Sequence, residues 1–198
     1  PEPGRDGGAG FAGKELLFDL TTDPGERRDL AHERPAQVAE LRARLDAAMK
    51  NVAAAGSAEP AGITGMMLNC GQTCTALTRM IVPRSRQQEV VDLAVGALAT
   101  LAMGDPLSDG NFLGPVVSAA QKRTVQGYVR TGIEEGARVV AGGADDPEGF
   151  DTGFYVQPTI FADVVNSMVI AQEEIFGPVL SIITYTDDDD AVRIANGT

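Results

Sequence analysis

The sequence predicts an α/β fold with a mostly parallel sheet, and three observations carry that prediction. From Ile63 onward, short apolar runs alternate with stretches of helical periodicity, glycine and proline punctuate the boundaries, and two helices open on a Ser-x-x-Gln signal. A strand-turn-helix appendage is predicted ahead of this region.

Residues 1–13 form a Gly-rich lead without hydrophobic periodicity and are expected to be disordered. Gly8-Ala9-Gly10-Phe11-Ala12-Gly13 has the glycine spacing of a dinucleotide fingerprint, but no strand precedes it and no helix opens directly behind it. The fingerprint works only at such a strand-to-helix turn, so the match is read as chance. Glu15–Leu20 then reads as a short strand and Asp23-Pro24-Gly25 as a turn. Pro35 suits the first turn of a helix on which Val38, Leu41, Leu45, Ala48 and Val52 recur at helical spacing, with Glu40 and Arg44 paired on the wet side. Residues 51–62, rich in Ala and Gly with Pro60, read as a junction.

Ile63 to Thr78 is predicted as a helix or helix-turn carrying both cysteines, and Met80-Ile81-Val82 as a short buried strand ended by Pro83. Ser85 and Gln88 form a capping-box pattern ahead of a helix whose apolar face is Val90, Val91, Ala94, Leu98 and Leu101, closed by Gly104-Asp105-Pro106. Ser118 and Gln121 repeat the pattern before Val125, Tyr128, Val129 and Ile133, and Gly136 ends that helix ahead of a Val139-Val140 strand. Two further strands are expected over Tyr155–Phe161 and Leu180–Tyr185, then a final helix. The run Asp187–Asp190 suits a solvated helix start, where the macrodipole favours negative charge; a cation site is the alternative.

Composition excludes several partners. A net charge of −12 with pI near 4.4 opposes binding to nucleic acid, which depends on lysine and arginine displacing counterions. No apolar run approaches the roughly 18 residues of a membrane span, and Pro1 to Gly13 lacks the apolar core of a secretory signal, so a cytoplasmic protein is expected. Cys70 and Cys74 are the two cysteines and His32 the one histidine, too few for a disulfide framework and wrongly placed for a metal site.

The chemistry rests on Cys74. A thiolate can add to an aldehyde carbon, release hydride to a nicotinamide and leave a thioester for hydrolysis or transfer. On residue context alone the bland reading is the stronger one, because a cysteine near Met66, Met67 and Leu68 is commonly a small buried hydrophobe.

The stretch Asn69-Cys70-Gly71-Gln72-Thr73-Cys74-Thr75-Ala76-Leu77-Thr78-Arg79 and the later Glu173-Glu174-Ile175-Phe176-Gly177-Pro178 closely resemble the aldehyde dehydrogenase superfamily. Gly104-Asp105-Pro106, Leu113-Gly114-Pro115, Gly142-Gly143, Gln157-Pro158-Thr159 and Ala195-Asn196 fall in that family's order, so the resemblance covers residues 63–198. It implies part of the family's catalytic domain, acting on a small aldehyde with NAD or NADP. It also implies Cys74 as nucleophile, Glu174 as the contact to the nicotinamide ribose and Phe176 as the border of the ring. On residue type and context, the alternatives are an exposed acid for Glu174 and a core anchor for Phe176. Glu173 is read as structural.

The family's general-base glutamate, in a Leu-Glu-Leu-Gly-Gly-like segment, its oxyanion asparagine and its cofactor domain have no counterpart in these 198 residues. Glu40 lacks the glycine pair of the base's setting and is not assigned. The resemblance implies a homo-oligomer whose contact segment would follow Thr198. Little or no turnover is expected of the 198 residues alone, since a missing base costs ~10² to 10⁴ in rate. Residues 14–50, by Leu17-Phe18-Asp19-Leu20-Thr21-Thr22-Asp23-Pro24-Gly25-Glu26-Arg27-Arg28-Asp29-Leu30-Ala31, resemble the carboxy-terminal tail of sulfatases, without that family's Cys-x-Pro-x-Arg motif or metal carboxylates. The alternative readings are a non-catalytic fusion or truncated reading frame, or a sulfatase-related function of the first fifty residues.

Overall fold

Four strands form one mixed sheet in the order β1-β4-β3-β2, where β1 is Arg79–Pro83, β2 Arg138–Ala141, β3 Thr159–Val164 and β4 Val179–Tyr185. The computed structural model describes residues 33–36, 39 and 58–198. The β1·β4 and β3·β4 pairs are parallel and β2·β3 is antiparallel, so the α/β class with a mostly parallel sheet is as expected. The predicted strand at Glu15–Leu20, the turn after it and most of the first helix lie outside the described residues. Pro35, Ala36 and Ala39 are helical, as the proline at a first turn predicts.

The helices of the unit Ser57–Thr198 are α1 (Ala58–Met67), α2 (Gln87–Leu98), α3 (Ala119–Glu134), the short α4 (Val169–Gln172) and α5 (Asp188–Ala195). β4 is one of the two interior strands, and its Val179, Leu180, Ser181, Ile182 and Ile183 are all buried. A continuous apolar run of this kind belongs to a strand covered on both faces. α1 packs on α2 and β4, α2 lies against β1, β3 and β4, and α5 lies against β1 and β4. The two buried hydroxyls in this core are satisfied. Ser181 donates to the Ile170 carbonyl at 3.3 Å and Thr159 to the Gln157 carbonyl at 2.9 Å.

Three local expectations are corrected. Ser85 does not cap α2: Arg84–Arg86 forms a 3₁₀ turn and Arg86 is the N-cap, without a side-chain capping bond. The strand expected from Tyr155 begins at Thr159, because Pro158 has no N–H to enter the ladder. Ile133 is exposed rather than part of the α3 stripe, whose buried positions are Val125, Gln126, Val129 and Gly132. The acidic run behaves as a helix start: Asp187 is the N-cap of α5, its carboxylate accepting from the Asp190 amide at 2.9 Å.

The β3·β4 register shifts between Phe161 and Val164, where Asp163 takes a left-handed φ of 57°. From this irregularity its carboxylate accepts from Arg138 Nε of β2 at 2.7 Å and from the side-chain Nε2 of Gln87 at the start of α2. These donors, Arg138 first, hold the Asp163 carboxyl below the usual carboxylate range. A depressed native pKa adds stability above the unfolded value, about 3.9, that is lost as pH falls through the native one. Asp163→Asn keeps the tolerance for left-handed backbone and removes the charge. Its expected cost at neutral pH is at most about 1 kcal/mol, because the pair is half exposed. Urea midpoints of both chains should converge as pH drops below about 4.

Candidate active site

Two tight turns, one after α1 and one after α4, pack backbone against backbone and place the predicted site residues around one cavity. α1 is anchored by Ile63, Met66 and Met67, all fully buried, and runs into a 3₁₀ turn over Leu68–Gly71. There Asn69, Cys70 and Gly71 take φ of 52°, 56° and 69° in succession. Three consecutive left-handed residues reverse the chain sharply, at a cost that only Gly and Asn bear readily. The Asn69 side-chain amide donates to the Gln72 carbonyl at 3.0 Å, and the Gln72 backbone N–H donates to the Asn69 carbonyl at 3.1 Å. Gln72 Oε1 accepts from the Val117 amide at 2.9 Å, which fixes the chain two residues before α3.

Cys74 follows, exposed, in a turn closed by the Ala76 amide donating to the Thr73 carbonyl at 2.9 Å. The helix-or-turn expectation for Ile63–Thr78 therefore resolves into helix, 3₁₀ turn and a further turn, with the two cysteines in different environments. Cys70 is 6% exposed, and its thiol donates to the Gly114 carbonyl at 3.2 Å. Burial pushes the Cys70 thiol above its ordinary pKa.

The second turn begins where α4 ends. Glu173 accepts a 2.7 Å hydrogen bond from the Tyr128 hydroxyl, and that bond raises the Tyr128 pKa. Glu174 is exposed, Ile175 is buried and Phe176 is half-buried at φ 54°. Gly177 and Pro178 then enter β4 fully buried, with the Pro178 carbonyl accepting from the Thr159 amide of β3 at 2.8 Å. A Cβ on Gly177 would lie 2.4 Å from a methyl of Val125, which shows how closely the turn sits on α3.

Between the turns is a cavity of about 230 Å³ lined by Cys74, Glu174 and Phe176 together with Thr78, Arg79 and Gln172. All three residues singled out in the sequence meet there. A larger cavity of about 800 Å³ lies between the β3–α4 connection, the end of β4 and α5, and contains none of the three. Among the described residues no group of three His, Cys, Asp or Glu side chains is placed to hold a metal ion, and no helix is long and apolar enough to cross a membrane.

Sequence reasoning missed two contributors. Arg79 starts β1, lines the cavity and donates to the Ile194 and Ala195 carbonyls and to Asn166 Oδ1, tying the end of α5 to the site. Gln121 occupies the capping-box position of α3, and Ser118 Oγ does accept from its amide at 3.1 Å. Its side chain does not fold back on the N-cap. It reaches the Phe176 turn instead, donating to the Ile175 and Phe176 carbonyls at 3.1 and 2.9 Å. No local sequence signal separates those two uses of one glutamine.

An exposed thiol on a tight turn shares one cavity with a carboxylate and an aromatic ring beside a mixed α/β sheet, a residue set compatible with the chemistry of a cysteine nucleophile. The sequence profile of the Aldehyde dehydrogenase family matches residues 36–198, and the chain belongs to that family. It is 45% identical over 135 residues to 3-succinoylsemialdehyde-pyridine dehydrogenase of a Pseudomonas species, covering 68% of this chain and 28% of that protein. Among solved structures it resembles a cysteine-to-alanine mutant of aldehyde dehydrogenase C from Pseudomonas syringae in complex with NAD+ and octanal. That match is 47% identical with a TM-score of 0.69, covering 70% of this chain and 29% of the other. It also resembles an aldehyde dehydrogenase of Mycobacterium tuberculosis in complex with NAD+, at 48% identity and TM-score 0.66, covering 68% of this chain and 28% of the other. The chain spans about 30% of the length of the curated relatives it matches. The profile match begins at residue 36, ahead of residues 63–198 where the motifs fall.

Proposed function

We propose that this chain carries the nucleophile and the nicotinamide edge of an aldehyde-oxidising site, with Cys74 as the catalytic thiol. The observation that supports this is the single cavity shared by Cys74, Glu174 and Phe176. Cys74 Sγ, as thiolate, forms a C–S bond to the aldehyde carbon; the carbonyl oxygen takes the electron pair. Hydride then leaves that carbon, the C=O bond re-forms and a thioester on Cys74 remains. Water attacks the acyl carbon, the C–S bond breaks, and the carboxylic acid departs as the thiol is restored. When bound, NAD or NADP supplies the hydride acceptor.

The residues present fit a nicotinamide riboside. Glu174 offers an exposed carboxylate that can accept from ribose hydroxyls, Phe176 offers an aromatic edge for a flat ring, and both border the thiol's cavity. About 230 Å³ suits a ring and a sugar edge, not a whole dinucleotide. None of the described acids is assigned as general base. The homo-oligomeric assembly that the family resemblance implies belongs to the same reading, as does residence in the cytoplasm. We divide the chain into a lead (1–13), a sulfatase-tail-like appendage without chemistry of its own (14–50), a junction (51–62) and part of the catalytic domain (63–198).

The test is protection of Cys74 from iodoacetamide. Nicotinamide mononucleotide, NAD and an aliphatic aldehyde are each expected to slow alkylation of Cys74, and Glu174→Ala is expected to abolish protection by the mononucleotide while sparing protection by the aldehyde. Alkylation unaffected by any of the three ligands would favour a non-catalytic remnant.

A further inference from the structure

We infer that Gln121 is a positioning residue of this site: its carboxamide, donating to both carbonyls of the Ile175–Phe176 turn, fixes the left-handed backbone that presents Phe176 and Glu174 to the Cys74 cavity. The inference rests on the functional reading above for the meaning of that cavity, and on geometry for the rest.

Phe176 is a bulky non-glycine residue at φ 54°, a conformation that persists only where the surroundings over-determine it. Two carbonyl oxygens accept only donors, and Gln121 Nε2 reaches both, from a position 54 and 55 residues away in the chain. The same helix start is tied to the nucleophile turn, because Gln72 Oε1 holds the Val117 amide just before the Ser118 cap. One turn of α3 therefore grips both halves of the site, one through a backbone amide and the other through Gln121. Gly177 seated on Val125, one helical turn further along α3, keeps the grip close. Loss of the carboxamide leaves two half-buried carbonyls without their donor while the helix and its cap stay intact. That failure is local, unlike the loss of a core residue.

The test uses three variants of the full chain. Gln121→Leu removes the donor, Gln121→Glu replaces it with an acceptor of the same shape, and Gln121→Lys restores a donor of similar reach. Hydrogen exchange of the Gly177 and Val179 amides is expected to rise about 10- to 100-fold in the Leu and Glu variants and to return toward wild type in the Lys variant, the size expected for two unmet carbonyls. Protection of Cys74 by nicotinamide mononucleotide is expected to fall in step, while exchange in α2 stays unchanged and reports an intact fold. Unchanged exchange at the turn in the Leu variant would overturn the inference, as would a loosened turn with undiminished protection of Cys74. Should wild-type Cys74 itself go unprotected, the functional reading fails and the positioning role falls with it, and the exchange arm identifies that case because the turn still loosens without Gln121.

Discussion

Gly71→Ala is expected to cost about 4 kcal/mol or more of stability, in the range where a point substitution signals a specific steric fault. A Cβ at Gly71 would stand 2.1 Å from the Gly177 carbonyl oxygen, 2.4 Å from its carbon and 2.9 Å from the Pro178 nitrogen. Each of those is a backbone atom of the Phe176 turn, so no rotamer change relieves the overlap. Nor can that turn retreat. Gln121 holds its carbonyls, the Pro178 carbonyl is bound to the Thr159 amide of β3, and Gly177 is already against Val125. The φ of +69° at Gly71 adds about 1–2 kcal/mol for any residue with a Cβ. Relief comes only by separating the two turns, which opens the cavity between Cys74 and Phe176. Protection of Cys74 by nicotinamide mononucleotide should vanish along with stability. Gly96→Ala is the matched control: it lies inside α2 at an exposed position where a Cβ meets nothing within 4 Å, and the gain in helix propensity should stabilise by roughly 0.5–1 kcal/mol. Urea midpoints of the two variants should move in opposite directions. A Gly71→Ala chain within about 1 kcal/mol of wild type would mean that the two turns are not locked together.

That lock explains which parts of the protein are legible in sequence. Periodicity and punctuation are local, and they locate α2, α3, β1 and β4 to within a few residues, because each needs only its own apolar spacing and its own cap or proline. The identities of Cys74, Glu174 and Phe176 come from resemblance, whereas their meeting around one cavity is a property of the sheet, which brings segments a hundred residues apart onto neighbouring strands. Where sequence reasoning goes astray, a competing local turn or a long-range contact has overridden the predicted cap. Ser85 has the spacing of a cap, yet a 3₁₀ turn over Arg84–Arg86 carries the chain past it. Gln121 likewise abandons the reciprocal half of a capping box for two carbonyls that the sequence gives no reason to place nearby. Three left-handed residues at Asn69–Gly71 are suggested only by the Asn and the Gly, and Cys70 between them carries no such signal.

The thiol pair offers the other large effect. In the native chain Cys74 is expected to react with iodoacetamide at least about a hundredfold faster than Cys70, a gap of two factors of ten that corresponds to a local opening free energy of a few kcal/mol. Two features slow Cys70: its side chain is 6% exposed, a burial that also opposes formation of its thiolate, and its thiol is committed to the Gly114 carbonyl at 3.2 Å. For alkylation its turn must first open and release the Gly114 carbonyl. Cys74 is exposed and lines the cavity directly. Mass spectrometry of briefly labelled protein should find one equivalent at Cys74 and almost none at Cys70. In 6 M guanidinium, roughly the concentration that unfolds even hyperstable domains, the two should label alike. Cys74→Ala should take up no rapid label at all, which separates intrinsic reactivity from a general loosening of the turn. Comparable native rates at the two sulfurs would mean that the Leu68–Gly71 turn does not hold Cys70 inside, and the division of the pair into a buried thiol and a reactive one would be lost.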